Sequence, residues 1–438
     1  SHGENGGSSR YLQNRIYFYA LMAGAHYFSE EWGLNCSYTD MEEFTLSDYG
    51  RVKKDFINTA LDFRGICAEV PFAIVLPTDY ACMELPEIWD TCEFGNPRDT
   101  YMRCVLSDSE KKYYFYRQIM GEQSQTGIVG CSSIDDYLEN RIKKHEFTRA
   151  DKELDRINHV DYCDANTGPI FLAYRQAQAV QTITDGWKEN NAPIYDFIAE
   201  DGVGHTIWQI ADNDTIDSLV KAFKAVPALY IADGHHRTAS AVKVGLKRRE
   251  ANPNYDGTEE FNYFLSVIFP DAELAILDYN RVIRDLNGLT PEQLLDALSV
   301  NFNVEAKGTE PYRPQKKHEF GMYLSGTWYC LELKPGLCDD SDPVASLDVS
   351  ISSKLILDEI LDIKDLRSSK RIDFVGGLRG LNELSRRVDS GEMQMALALY
   401  PVTMQEIMDI ADSGNIMPPK TTWFEPKLRS GLVIHKLV

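Results

Sequence analysis

From about residue 111 onward, short apolar runs alternate with amphipathic segments, which predicts interleaved strands and helices. Residues 229–232 and 261–269 are apolar runs that predict buried strands, and residues 238–249 are predicted to form a helix. Apolar segments that flank Asp201-Gly202 and Ser325-Gly326 predict two β-hairpins. Hairpins favour a mixed sheet over a purely parallel one, so the expected fold class is α/β or α+β.

Polar residues mark the predicted starts of several helices. Ser133 is the expected N-cap of a helix over residues 133–144, and Asp214 is the expected N-cap of a helix with one apolar face. The segments 290–293 and 403–406 have the Thr-x-x-Gln and Thr-x-x-Glu spacing of capping boxes. These signals predict regular α-helices in both halves of the chain.

Cysteine content and the strength of the strand and helix patterns divide the chain into three segments. Five of the nine cysteines lie in residues 1–105, and nothing in that segment repeats later. Residues 106–270 carry the sharpest strand and helix signals, and a transition at residues 270–278 precedes a C-terminal α/β lobe over residues 271–438. We therefore predict three segments with these boundaries.

Charge and cysteine usage limit the classes of function. With 45 Lys and Arg against 67 Asp and Glu, the net charge of −22 repels nucleic-acid phosphates, so no nucleic-acid partner is expected. The cysteines show no CxxC spacing and are odd in number, which favours a reducing cytoplasm. Because no apolar run reaches transmembrane length, no membrane partner is expected.

The most informative chemistry lies in residues 233–237, Asp-Gly-His-His-Arg, at the predicted strand-to-helix turn. Unpaired amides at a helix start attract anions, and the planar fork of Arg237 suits phosphate. His235 and His236 can donate hydrogen bonds to phosphate oxygens. This set favours a phosphate-binding turn, and the alternative is a solvated polar turn. A metal site made of these two adjacent histidines is disfavoured, because their side chains diverge.

A second polar cluster lies at residues 143–149 and contains His145 and Glu146. Taken alone, it is typical of a solvated helix boundary. Phosphoryl transfer to a hydroxyl needs a carboxylate that accepts the proton and cations that hold the phosphate. Glu146, together with Asp233 and Arg237, would supply that set if the fold brings them together.

Two further segments could line a site. Gly376 and Gly377 follow a predicted strand, and they indicate either a backbone approach to phosphate or, more in keeping with their spacing, a left-handed turn. Residues 417–427 combine two prolines, an aromatic pair and lysines. Such a rigid loop could line a pocket or tie down the C-terminus.

With these residues in hand, the chain resembles the domain-of-unknown-function family 1015, which is grouped with the ParB/sulfiredoxin-like superfamily. The resemblance runs from about residue 113 to the C-terminus. It rests on six blocks in order: residues 144–146, 155–156, 165–169, 232–237, 373–377 and 418–427. Membership implies a mixed sheet of the ParB/sulfiredoxin-like type. Residues 1–105 lack the family's opening motifs, so a foreign or mosaic N-terminal segment is our hypothesis.

The superfamily includes free-serine kinases, which carry similar boxes around a glutamate and an Asp-Gly-His-His-Arg motif. The resemblance implies an ATP- or ADP-dependent kinase that acts with Mg²⁺ on a free amino acid hydroxyl. The implied catalytic residues are Glu146 as general base, His145 and Asp233. The implied nucleotide-binding residues are Gly234, His235, His236, Arg237 and Thr238. The alternative is a nucleotide-binding regulatory or interaction protein without turnover. Because His235 stands where sulfiredoxins need cysteine, sulfinic-acid reduction is disfavoured.

Overall fold

The computed structural model describes residues 112–148, 150–199, 201–366 and 368–437. The predicted segment 1–105 and its hypothetical mosaic origin lie outside these residues.

The first half of the described chain forms a large mixed sheet. Its strands are β1 (Tyr113–Met120), β2 (Gln123–Ser133), β3 (Ile142–Lys143), β5 (Ile170–Tyr174), β6 (Tyr195–Ile198), β7 (Gly204–Ile210), β8 (Leu229–Asp233) and β9 (Tyr263–Pro270). They lie in the order β3-β8-β5-β9-β2-β1-β7-β6. The β3–β8 and β5–β9 pairs are parallel and the other pairs antiparallel.

Helices cover one face of this sheet. They are α1 (Ile134–Leu138), α2 (Ala150–Cys163), α3 (Gln178–Asn190), α4 (Asn213–Phe223) and α5 (His235–Ala251). Because successive strand residues face opposite sides, Ile231 of β8 packs in a cluster with Val242 of α5. Its neighbours Tyr230 and Ala232 belong instead to a core shared with the C-terminal half. The first sheet is therefore buried on both faces.

The C-terminal half is built on an antiparallel sheet in the order β12-β14-β13-β16-β11-β15. These strands are β11 (Tyr279–Ile283), β12 (Phe302–Gly308), β13 (Glu319–Leu324), β14 (Thr327–Leu333), β15 (Ile372–Gly376) and β16 (Met395–Leu399). The helices are α6 (Pro291–Asn301), α7 (Asp348–Ser352), α8 (Leu381–Asp389) and α9 (Met404–Asp412). A wider helical turn (Ser353–Asp358) continues α7.

Two small ladders join distant parts of the chain. Strand β10 (Ala275–Ile276) pairs with β17 (Phe424–Glu425), and β4 (Ala165–Asn166) pairs with β18 (His435–Lys436). Through the β4–β18 pair, the end of the chain contacts the first half of the described chain. The predicted division at residue 270 lies between the two large sheets, but the last strand crosses it.

The structure confirms the mixed α+β class and several local predictions. Both hairpins form, as the β6–β7 and β13–β14 pairs. Ser133 caps α1, and both capping boxes make their reciprocal hydrogen bonds, at Thr290–Gln293 and at Thr403–Glu406. Among the described residues, every helix is too short or too polar to cross a membrane.

Three predictions of helix boundaries were wrong. The N-cap of α4 is Asp212, whose carboxylate accepts from Thr215 N at 2.8 Å, and Asp214 lies in the first turn. The helix predicted over residues 133–144 ends at Leu138, and the chain then enters strand β3. Helix α5 begins three residues earlier than predicted, at His235.

Substitution of Gly245 tests how closely α5 packs on its neighbours. A methyl group there would stand 2.5 Å from the Phe261 carbonyl oxygen and 2.8 Å from Ile134 Cδ1. We expect Gly245→Ala to lower the free energy of unfolding by about 1–3 kcal/mol, because this crowding outweighs the gain in helix propensity. Chemical denaturation measures the change.

Gly186 in α3 is the matched control, since a methyl group there would have nothing within 4 Å. Gly186→Ala should raise the free energy of unfolding by about 0.5–1 kcal/mol, through helix propensity alone. Equal stabilisation by both substitutions would contradict the close packing of α5.

Candidate functional site

The parallel pairing of β3 with β8 brings two of the predicted motifs together. Ile142 lies opposite Leu229 and Lys143 opposite Tyr230. Because parallel strands end at the same edge of a sheet, residues 144–146 leave β3 beside the point where residues 233–237 leave β8. The short strand β3 thereby joins motifs that are far apart in the sequence.

A third motif reaches this edge because β5 runs antiparallel to β8. Phe171 pairs with Asp233, so residues 167–169, just before β5, lie at the same edge. A methyl group at Gly168 would stand 3.0 Å from Arg237 Nη1 and 2.6 Å from Ser430 Oγ. The Arg237 side chain therefore extends over this glycine, next to the C-terminal segment.

The turn between β8 and α5 depends on Gly234, whose φ of 95° is unfavourable for residues with a Cβ atom. Asp233 Oδ1 accepts a hydrogen bond from Gly234 N at 2.8 Å. Thr238 N and Oγ1 donate to the Gly234 carbonyl oxygen at 2.9 and 3.1 Å. Thr238 is fully buried, so its hydroxyl stabilises the turn from inside.

His145, Glu146 and His235 form the centre of the site. The His145 N–H group donates to His235 Nε2 at 3.4 Å, and the two rings meet edge to face with centroids 4.5 Å apart. His235 Nδ1 lies 3.8 Å from Glu146 Oε2, and the Glu146 side chain is 39% exposed. Since Nε2 accepts, the proton of a neutral His235 ring resides on Nδ1, which faces Glu146.

Burial keeps both histidine rings neutral near pH 7. Burial lowers the pKa of His145 to about 4, against an opposing effect of Asp233. Burial, followed by the charges of His145, His236 and Lys144, lowers the pKa of His235 well below its ordinary value. Within the described residues, neither ring nitrogen of His145 has a hydrogen-bond partner. The two neutral rings thus contribute only polar groups at this edge of the sheet. Any positive charge at the edge must come from other residues.

His236 also interacts with a second carboxylate outside this centre. It is half-buried and acts electrostatically on Glu153 of α2, the helix against which α5 packs. Glu153 also accepts hydrogen bonds from Thr148 and Lys243. The structure therefore brings Glu146 and His235 together, and the charge of His236 acts on both His235 and Glu153.

Lys427 is a site residue that the sequence interpretation did not assign. Its Nζ lies 2.7 Å from Asp233 Oδ2 and 5.3 Å from the centroid of the Trp423 ring. The Gln118 side chain donates to the Lys427 carbonyl oxygen at 2.9 Å. The feature of the sequence that could have indicated Lys427 is the run Trp-Phe-Glu-Pro-Lys at residues 423–427.

Gly376 explains how Trp423 reaches this position. A methyl group at Gly376 would stand 2.8 Å from the Trp423 ring. Its φ is −69°, and Gly377 is not among the positive-φ glycines, so the left-handed turn predicted for this pair was wrong. The glycine allows the indole to lie on the backbone, and the indole in turn supports Lys427.

The C-terminal segment continues across the same edge. Gly431 N donates to the Thr167 carbonyl oxygen at 2.7 Å, and Leu437 N to the Asp164 carbonyl oxygen at 3.0 Å. His435 pairs with Asn166 in the β4–β18 ladder. The loop over residues 417–427 thus contributes Lys427 to the edge and also leads into the segment that anchors the chain end.

The model of the family described as "Protein of unknown function (DUF1015)" matches residues 99–350. The chain belongs to this family. The predicted membership is confirmed, and the match begins somewhat earlier than residue 113. Because it ends at residue 350, the predicted extension of the resemblance to the C-terminus stays a prediction. No curated protein matches the chain.

Several solved structures show a distant similarity. A free serine kinase mutant in complex with AMP is 14% identical with a TM-score of 0.35, over 68% of this chain and 86% of that chain. A conserved hypothetical protein from Pyrococcus furiosus is 16% identical with a TM-score of 0.34, over 69% and 93%. SbnI with a C-terminal truncation, from Staphylococcus aureus, is 12% identical with a TM-score of 0.34, over 69% and 85%. At this distance the similarity does not identify a ligand.

The buried His145 ring predicts a loss of stability on acidification. Its pKa of about 4 in the folded chain lies below the ordinary value of 6.5, so the unfolded chain binds this proton more readily. The free energy of unfolding should therefore fall as the pH falls from 6.5 to 4. The contribution of His145 is about 3 kcal/mol at 1.36 kcal/mol per pKa unit.

Denaturation of the protein and its His145→Gln variant across this pH range measures the effect. The variant should lose part of the pH dependence, and the remainder includes His235, which is shifted in the same direction. An identical pH dependence for both proteins would show that His145 is not held neutral by burial.

Proposed function

We propose that this sheet edge binds the phosphates of a nucleotide and transfers a phosphoryl group to the hydroxyl of a free amino acid such as serine. The observation that carries the proposal is the position of Glu146. Its Oε2 atom lies 3.8 Å from His235 Nδ1, at the turn that also holds Arg237 and Lys427. A carboxylate, two cations and a helix start are the groups that phosphoryl transfer requires.

Arg237 and Lys427 are the cations of the proposed phosphate subsite. Arg237 offers a planar fork for two phosphate oxygens, and Lys427 offers a flexible ammonium group. The first amides of α5 point out of the same turn and favour an anion. Because the whole chain carries a net charge of −22, a bound phosphate depends on these local groups.

Glu146 is the proposed general base. Its carboxylate is partly exposed, so an acceptor hydroxyl can reach it. The carboxylate accepts the hydroxyl proton as the hydroxyl oxygen forms a bond to the terminal phosphorus, and the bond from phosphorus to the nucleotide oxygen breaks. The Nδ1–H group of His235 faces the carboxylate and would position it once the two groups come within hydrogen-bond distance, and His145 fixes that tautomer through its backbone N–H group.

The residues present fit a Mg²⁺ ion held together with substrate phosphates. Mg²⁺ takes oxygen ligands and is commonly bound through one or two carboxylates plus phosphate oxygens. Asp233 is the carboxylate that would hold it, because Glu146 is needed as base, and the ion would then share Asp233 Oδ2 with Lys427 or replace it. When bound, the ion would neutralise charge on the phosphates. The nucleotide, ATP or ADP, and the acceptor rest on the resemblance to free-serine kinases in the motifs at residues 144–146 and 233–237.

A nucleotide-binding protein without turnover is the second candidate. The 3.8 Å separation between Glu146 and His235 favours it, because this distance exceeds that of a hydrogen bond. Catalytic hydrogen bonds often tighten only when the substrate binds, so binding and turnover must be measured separately. Isothermal titration with ADP and ATP, with and without Mg²⁺, tests the feature that both candidates share.

Glu146→Gln separates the two candidates. The amide cannot accept the proton, so we expect phosphoryl transfer to fall about 10²- to 10⁴-fold while nucleotide affinity is retained. Formation of phosphoserine from serine and ATP or ADP is the measurement. Glu332→Gln is the control, because Glu332 is partly exposed and pairs with Lys316 in the C-terminal half. Full turnover in the Glu146 variant would contradict the assigned role.

Arg237→Ala tests the phosphate subsite. Hydrogen bonds to charged groups contribute about 1.5–3 kcal/mol, so nucleotide affinity should fall about tenfold to a hundredfold. The matched control is Arg386→Ala, which removes an exposed guanidinium paired with Glu383 in the C-terminal half. Titration calorimetry reports both, and unchanged affinity in the Arg237 variant would remove the proposed subsite.

A further inference from the structure

A second group of chemically reactive side chains lies in the C-terminal half, outside the site described above. The nitrogen of His318, the sulfur of Cys338 and a carboxylate oxygen of Asp340 all lie within 4.8 Å of one another. His318 precedes β13, and the other two residues belong to the loop between β14 and α7. A nitrogen, a sulfur and an oxygen ligand form a typical donor set for Zn²⁺.

We propose that His318, Cys338 and Asp340 bind a transition-metal dication of the Zn²⁺ type. His318 Nε2 lies 3.8 Å from Cys338 Sγ. In a tetrahedral zinc site, bonds of about 2.0 Å to nitrogen and 2.3 Å to sulfur give a separation of about 3.5 Å between these atoms. The two half-buried ligands are therefore already near their required spacing, and a carboxylate oxygen of the exposed Asp340 lies within 4.8 Å of both.

The backbone of His318 is held in a conformation that supports this arrangement. Its φ of 68° is uncommon for a residue with a side chain. Asp348 Oδ1 accepts a hydrogen bond from His318 N at 2.8 Å. His318 Nε2 also lies 3.1 Å from the Ser346 carbonyl oxygen, and a metal bond to Nε2 would replace this contact and release the Nε2 proton. The hydrogen bond to Asp348 thus fixes the backbone of the histidine, and the ring exchanges one partner for another when a metal binds.

Asp348 supplies the second, independent indication of a cation. It is 4% exposed, and among the described residues its Oδ2 atom has no hydrogen-bond partner. The nearby Lys317 is paired with Glu406 at 2.8 Å, so its charge is largely neutralised. Because Asp348 Oδ1 is bonded to His318 N, a buried carboxylate oxygen without a partner lies next to one of the three ligand residues, and a nearby cation would compensate it.

A bound ion would join the loop before α7 to the start of β13. In that loop, Asp339 and Asp342 accept hydrogen bonds from backbone N–H groups that follow them. These are local turns, so the metal would add a long-range link. The site shares no residue with the proposed phosphate subsite, and its test is independent of that function.

Cobalt titration of the chelator-treated full chain under reducing conditions tests the proposal. Co²⁺ bound by a thiolate gives a near-ultraviolet charge-transfer band, and Zn²⁺ should displace it. We expect the band in the parent protein and its loss in Cys338→Ser. Cys131→Ser is the matched control, because Cys131 is an exposed thiol in β2.

Asp340→Asn keeps the test valid if the cysteine variant fails to fold, because Asp340 is exposed. It should weaken Co²⁺ binding at least tenfold, and Zn²⁺ should raise the melting temperature of the parent more than that of this variant. Absence of the band in the parent, or an unchanged band in both Cys338→Ser and Asp340→Asn, would overturn the proposal.

Discussion

The candidate site depends on the parallel direction of one short strand. If β3 ran antiparallel to β8, Glu146 would leave the sheet at the edge opposite the Asp233 turn. Because β3 has only two residues, its own ladder contributes little, and contacts from the C-terminal half hold it in place. Lys143 Nζ lies 2.7 Å from Asp412 in α9, and Met417 N donates to the His145 carbonyl oxygen at 2.8 Å.

Burial, more than neighbouring charge, determines the protonation state of the two histidines His145 and His235 in the site. In the sequence they resemble cationic phosphate ligands, but the fold removes His145 and His235 from water and so favours their neutral forms. A neutral imidazole has one donor and one acceptor, and the backbone of His145 occupies the acceptor of His235. The donor then faces Glu146. Arg237 and Lys427 supply the positive charge of the site, and these two residues come from separate parts of the chain.

The sequence predicted those features that depend on neighbouring residues. Both capping boxes, both hairpins and the strand-turn-helix around Gly234 are set by residues within a few positions of one another. The contact of Lys427 with Asp233 spans 194 positions, and no local pattern encodes it. The role of Gly376 was missed for the same reason, since the indole that requires this glycine lies far along the chain. Competing local signals account for the error at Asp214, because Asp212 has the same capping chemistry.

The candidate site is therefore built from both sides of the boundary that the sequence predicts at residue 270. Residues 106–270 contain the Glu146 and Asp233 motifs, but Lys427, Ser430 and the strand that pairs with β4 come from the end of the chain. The core shared by Tyr230, Ala232 and the C-terminal half joins the two sheets over a continuous apolar surface. A change that separates the halves would expose this surface and at the same time remove a cation from the Asp233 turn. Stability of the interface and occupancy of the proposed phosphate subsite are consequently linked, since both rest on the same docked segment.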